Sequence, residues 1–248
     1  MEDVTKNRSG LWILATGLVA TVLTFLPGRA AGFNDPDTAR LVIVHVSCAI
    51  TTAIWLLVAG YWAFRSLKTE KPREDHRLHA AWDLSTMLAG LTLLTGILFS
   101  KLQWNAWWQW DPRQTSFLLV MIILLAGAAL RAGQGDAARG RVVSAGYALA
   151  AMLPTIFLIF VFPRLNKVAS DSNHPTNTLL QGQLDSTFSW CLRLMGLFLM
   201  VALVALWRER VRALTLQTEL TDTHANMDFD LNSADSGPVV RPVGVRKD

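Results

Sequence analysis

Two histidines and one tryptophan cluster are the residues of this chain best suited to chemistry. Residues 104–115 read W-N-A-W-W-Q-W-D-P-R-Q-T, placing Trp104, Trp107, Trp108 and Trp110 beside Asp111 and Arg113. Indole presents a large apolar face and one N–H donor, so this density makes a platform for something large, flat and partly apolar. Trp104, Trp107 and Trp108 follow i, i+3, i+4 spacing and share a face if the segment is helical. A short surface helix would then turn three indoles toward the bilayer and keep Lys101 and Gln103 near water. Asp111-Pro112-Arg113-Gln114 reads as a helix start, with a carboxylate cap, proline at the first helical position and Gln114 completing a capping-box pattern. On that reading Asp111 is a cap with no ligand role. Arg113 can pair with a lipid headgroup or with a carboxylate of a bound cofactor.

His45 lies in an apolar run, Arg40-Leu-Val-Ile-Val-His45-Val-Ser-Cys48-Ala49-Ile-Thr-Thr52. An ionisable group inside such a run is a functional hypothesis by default, although a lone histidine there is commonly just buried and hydrogen-bonded. Its helical neighbours Cys48, Ala49 and Thr52 are small, a face with room for a flat group. His174 follows in a polar stretch, Ser170-Asp-Ser-Asn-His174-Pro175. Two imidazoles from separate segments suit axial ligation of haem iron from opposite faces. Zinc or copper is the alternative, but no carboxylate or thiolate ligand accompanies them at a useful spacing. His76, His79 and His224 stand among charged residues and read as solvated. Cys48 and Cys191 form no C-x-x-C, which excludes a dithiol redox motif, a zinc ribbon and covalent haem attachment. They read as small buried hydrophobes, with a disulfide left open. Arg193, in the outer part of an apolar run, answers either a cofactor carboxylate or a structural partner. No nucleophile stands paired with a base.

These residues need elements to hold them. The chain is 52% apolar and 17% charged, where a soluble domain carries about a quarter charged residues. That composition predicts an all-α integral membrane bundle. Six runs approach the roughly 20 residues a bilayer span needs: Leu11–Pro27, Leu41–Phe64, Ala80–Phe99, Thr115–Leu130, Val142–Phe162 and Thr187–Trp207. The first is read as a retained anchor, its apolar run being longer than that of a usual signal peptide. Lys and Arg number thirteen in the amino-terminal segment and the alternate connections that face with it, against six in the others. Both termini are therefore expected in the cytoplasm. Residues 28–40, 100–114 and 163–186 then face outward, carrying the tryptophan cluster and His174, with His45 near the outer end of its span. The net charge of +4 comes from basic residues flanking apolar runs, which points to topology and away from nucleic acid. Residues 1–212 form the membrane domain, and the polar residues 213–248 are expected to be a disordered cytoplasmic tail.

With W-x-x-W-W-x-W-D-x-R-x-T between one histidine at a helix start and another in the next outer segment, the chain resembles the tryptophan-rich (WWD) haem-handling proteins of cytochrome c maturation. Six spans and this length make it similar to the haem exporter protein C family, over residues from about 38 to 208. The resemblance implies binding of haem b, non-covalent and transient, at the outer (periplasmic) face of the inner membrane. His45 and His174 would be axial ligands, and Trp104, Trp107, Trp108, Trp110, Asp111 and Arg113 the haem-facing segment. It also implies delivery to a membrane-tethered haem chaperone beside an ABC transporter complex, with membrane lipid as surroundings and no enzymatic step on this chain. Asn105 stands where that family often carries glycine. Competing readings are a cytochrome c synthase, a b-type electron-transfer cytochrome, and a membrane scaffold whose tryptophans are an aromatic belt.

Overall fold

The computed structural model describes residues 3–29, 33–134, 138–170, 172 and 185–235. The described elements are helical: α1 (Asp3–Phe25), α2 (Leu41–Thr69), α3 (Pro72–Trp104), α4 (Pro112–Gln134), α5 (Ala138–Ile156), α6 (Asn166–Ala169) and α7 (Ser186–Asp235). A π-helical turn at Phe157–Val161 and a 3-10 turn at Phe162–Arg164 follow α5. Five of these segments are long and apolar enough to cross a membrane, namely α2 to α4, Ala138–Arg164 and Ser186–Met227. The first expected span, Leu11–Pro27, overlaps α1, which ends at Phe25 and is not among those five. The chain is thus an all-helical, multi-pass membrane bundle.

Helix boundaries follow local chemistry. α2 stops at Glu70, whose backbone is left-handed at φ 54° and whose N–H bonds Ser66 O. α3 restarts at once with Pro72 at its first position and Glu74 and Asp75 in its first turn, where proline needs no partner and acids meet the positive helix end. At 33 residues and ~1.5 Å per residue, α3 outruns a hydrocarbon core of about 30 Å. It therefore carries charged residues at one end and Trp104 at the other.

Small residues bring α2 and α3 together. Thr51, Thr52, Ala59 and Ala63 are buried on α2, and Ala81, Ser85, Ala89 and Thr92 on α3. Thr52 meets Thr92 across the pair, while the small Ser47 and Gly60 of α2 face Leu192 of α7 and Met152 of α5. Lacking a hydrophobic drive in lipid, helices associate through close backbone approach of this kind. Thr52 donates to Cys48 O at 2.7 Å and Thr92 to Leu88 O at 2.9 Å within their own helices, while Ser47 donates to Leu192 O of α7 at 3.2 Å, where lipid offers no partner. Leu56, Leu78, Trp82, Val120, Leu124 and Met152 complete the core. Leu57, Phe64, Leu94, Ile122, Leu125 and Leu197 stay exposed as the surface offered to lipid.

The end of α3 remote from Trp104 corrects one expectation. His76 is buried and His79 half-buried, where both were expected to be solvated. Asp75 holds Arg131 through two bonds of 2.7 and 2.6 Å, Asp83 accepts from Arg210 at 2.9 Å, and His79 Nε2 lies 3.5 Å from Asp83. Asp75 is buried because it meets Arg131 of another helix, whereas Asp83 and Arg210 pair at a partly exposed position. Residues 213–235 also differ from the unordered tail that composition predicts. The chain divides into two units, Met1–Val211 and Arg212–Asp248, and helix persists through Asp235. No glycine or proline interrupts that stretch before Gly237-Pro238.

Candidate functional site

The tryptophan segment is not a surface helix. α3 ends at Trp104, Asn105 takes a left-handed backbone with φ 54° and ψ 24°, and residues 105–111 run without helical structure. Asparagine is among the few residues that visit this region readily. The shared face expected for Trp104, Trp107 and Trp108 is therefore lost. Trp104 and Trp108 are half-buried, whereas Trp107 and Trp110 are 58% and 76% exposed. Trp110 packs edge-on to Trp108 with centroids 6.0 Å apart, and Lys101 Nζ lies 5.9 Å from the centre of the Trp107 ring.

Hydrogen bonds from both flanking helices fix this segment. Ser100 donates to Ala106 O at 2.7 Å, and Lys101 donates to Asn105 Oδ1 at 2.7 Å. Asp111 is buried and caps α4, its Oδ1 accepting from the Arg113 N–H at 2.9 Å. The other carboxylate oxygen accepts from the Ser172 hydroxyl at 2.9 Å, so Asp111 does more than cap. Gln114 departs from the capping-box expectation, because its Oε1 accepts from the Gln109 N–H at 3.3 Å instead of reaching Asp111. Ser172 is two positions before His174, which itself lies outside the described residues.

Gln103 was expected near water and is instead 5% exposed. Its amide donates to Asp35 O at 2.9 Å and Thr38 Oγ1 at 3.0 Å and accepts from the Asp35 N–H at 3.1 Å. Asn34 Nδ2 donates to Gln103 O at 2.8 Å. The segment before α2 is thereby clamped to the end of α3. Hydrogen bonding from Thr38, helped by the backbone of Asp37 and Thr38, holds the Asp35 carboxyl below its ordinary value.

His45 stands one turn into α2 and is half-buried. Its Nδ1 lies 3.1 Å from Thr92 O and 3.2 Å from Thr95 Oγ1. The ring is parallel to Phe99, 7° between planes and 6.4 Å between centroids, and Phe99 meets Trp104 edge-on at 5.6 Å. One line of rings thus joins the histidine to the tryptophan segment. The small face of His45's helix is already filled by α3, since Cys48 and Thr52 are buried and Thr52 Oγ1 lies 3.4 Å from Thr92 Oγ1. Thr92, Thr95, Gly96, Gln103 and Ser172 escaped the sequence reading. The run T-L-L-T-G at 92–96 was the available signal, two hydroxyls and a glycine on one helical face.

Arg113 is half-buried at the start of α4, and its Nε has no hydrogen-bond partner among the described residues; nor have Trp108 Nε1 and Thr115 Oγ1. Buried polar atoms are rarely left so. The 3-10 turn packs against α4, which brings the positive charge of Arg164 to bear on Arg113. Arg164 itself donates to Phe160 O at 2.8 Å, and Arg40 Nε donates to Asp37 O at 2.8 Å. Arg193 is exposed and lies over Trp190 at 5.3 Å, a structural partner. Cys48 and Cys191 are both buried free thiols. Among the described residues no cluster of three or more His, Cys, Asp or Glu side chains suits a metal ion. A cavity of about 300 Å³ lies between α3, α4 and α5, lined by His79, Trp82, Asp83, Arg131, Ser144 and Tyr147 among others. It belongs to the opposite end of α3 from the tryptophans.

The family model described as Heme exporter protein C matches residues 4–226. This chain belongs to the heme exporter protein C family. Among curated relatives, the Heme exporter protein C of Rhodobacter capsulatus is 33% identical over 137 residues, covering 51% of this chain and 53% of its own. That of Paracoccus denitrificans is 26% identical over 136 residues, covering 48% and 50%, and that of Escherichia coli K12 is 23% identical over 122 residues, covering 48% and 50%. The chain spans about half the length of these curated relatives.

Proposed function

We propose that this chain is a membrane haem-handling protein of cytochrome c biogenesis. It binds haem b non-covalently and transiently at the periplasmic face of the inner membrane, both termini being cytoplasmic. It then passes haem to a membrane-tethered haem chaperone, beside an ABC transporter complex. The observation that carries this reading is the line of rings from His45 through Phe99 to Trp104, which joins a potential iron ligand to an aromatic platform. The macrocycle edge lies against Trp104, Trp107, Trp108 and Trp110, with His45 and His174 as axial ligands. Iron contributes affinity through those two bonds, and the protein supplies shape, dryness and charge. Arg113 is the preferred partner for a propionate, because its buried Nε has no acceptor among the described residues while Arg40 and Arg164 already spend donors on backbone carbonyls. A carboxylate paired with a guanidinium gives strong, directional hydrogen bonds. Asp111 belongs to this haem-facing segment, and its cap on α4 and its bond from Ser172 tie the tryptophan segment to both.

Transfer separates this role from a synthase. Haem-loaded protein mixed with the purified chaperone should lose its haem to it, and mixed with an apocytochrome alone should yield no covalent product. Covalent product formed without the chaperone would overturn the delivery reading.

A further inference from the structure

The contacts around His45 fix more than its position. Among the described residues, its Nδ1 faces the Thr92 carbonyl at 3.1 Å and the Thr95 hydroxyl at 3.2 Å. A carbonyl can only accept. The single proton of Thr95 Oγ1 has its own acceptors, Leu91 O at 2.7 Å and Thr92 O at 3.2 Å, which leaves the oxygen's lone pair toward the imidazole. Both neighbours therefore require a proton on Nδ1, and in the neutral ring the basic lone pair then resides on Nε2.

Gly96 supplies the space. A Cβ there would sit 2.8 Å from His45 Cε1, closer than real Cβ contacts allow. Only without that carbon can the imidazole lie against α3 and reach the carbonyl one turn away. Phe99, one turn further, holds the ring plane by parallel packing.

We propose that Thr95 and Gly96 are positioning residues for His45. They set its tautomer and ring orientation so that Nε2 is the atom presented to iron, a role that rests on the haem-ligand reading above. Groups that hold the second nitrogen of a ligating histidine typically contribute 10–100-fold in metal affinity. Because the Thr92 carbonyl remains when Thr95 is changed, removing that hydroxyl alone should weaken haem binding about tenfold, at the low end of this range.

The test uses full-length, detergent-solubilised protein carrying 15N-labelled histidine, with the His45 signals assigned by their loss in His45→Ala. Without haem, wild type should show a protonated Nδ1 and an unprotonated Nε2. Thr95→Val, close in shape, should shift the His45 15N signals toward a mixture of tautomers and weaken haem binding, and Thr95→Ser should restore both. Gly96→Ala should displace the ring and lower the six-coordinate haem fraction further. An Nε2-protonated wild type, or 15N signals unmoved in Thr95→Val, would overturn the proposal. A haem spectrum insensitive to His45→Ala would remove the ligand reading instead, and the tautomer measured without haem would still decide the positioning question.

Discussion

Asn105 and Trp110 occupy the two left-handed backbone positions of the tryptophan segment, with φ of 54° and 55°, and the cost differs between them. Asparagine tolerates this region, whereas a bulky side chain costs about 1–2 kcal/mol there. Asn105 thus supplies the left-handed residue that ends α3 and opens the turn. Asn105→Val should lower stability by about 1–2 kcal/mol, read as an earlier thermal unfolding in detergent, while Asn105→Gly should unfold near the wild-type temperature. Strain at Trp110, whose ring is 76% exposed, is the kind that collects at ligand sites. Trp110→Gly should unfold no earlier than wild type yet bind haem more weakly. The clustering of indoles was legible from residue types alone. Their exposure was not, because the i, i+3, i+4 spacing presupposes a helix that stops at Trp104.

At the scale of elements, the site is held by the ends of α3 and α4 and by the segments they anchor. Gln103 shows how: one buried amide makes three bonds to residues 35–38 and ties the entry of α2 to the exit of α3. Gln103→Leu leaves those partners without their donors and acceptor, at a cost of about 1–3 kcal/mol for each buried group that water does not reach. Limited proteolysis should then cut within residues 33–40 of the variant at protease levels that spare wild type. In sequence Gln103 is a polar residue near an interface, and only the folded register shows its amide matching a backbone turn. Asp111 and Pro112 were legible as a cap because that motif is local. The Ser172 bond to Asp111 was not, since the two are separated by 61 positions.

The whole molecule was legible wherever hydropathy decides. Each of the six expected runs overlaps a helix, five of them on segments long and apolar enough to cross a membrane, and the short fourth run proved to be part of the 23-residue α4. Departures came where packing overrides composition. Pro154 sits inside α5, and the π turn at Phe157–Val161 and the 3-10 turn at Phe162–Arg164 follow in place of regular helix. His76, expected in solvent, is buried on α3. What unites the account is a single iron shared by His45 and His174 above the tryptophan segment. The absorption spectrum of the purified protein loaded with haem tests this most directly. Wild type should give the six-coordinate low-spin signature, lost in both His45→Ala and His174→Ala. An unchanged spectrum in both variants would contradict the account.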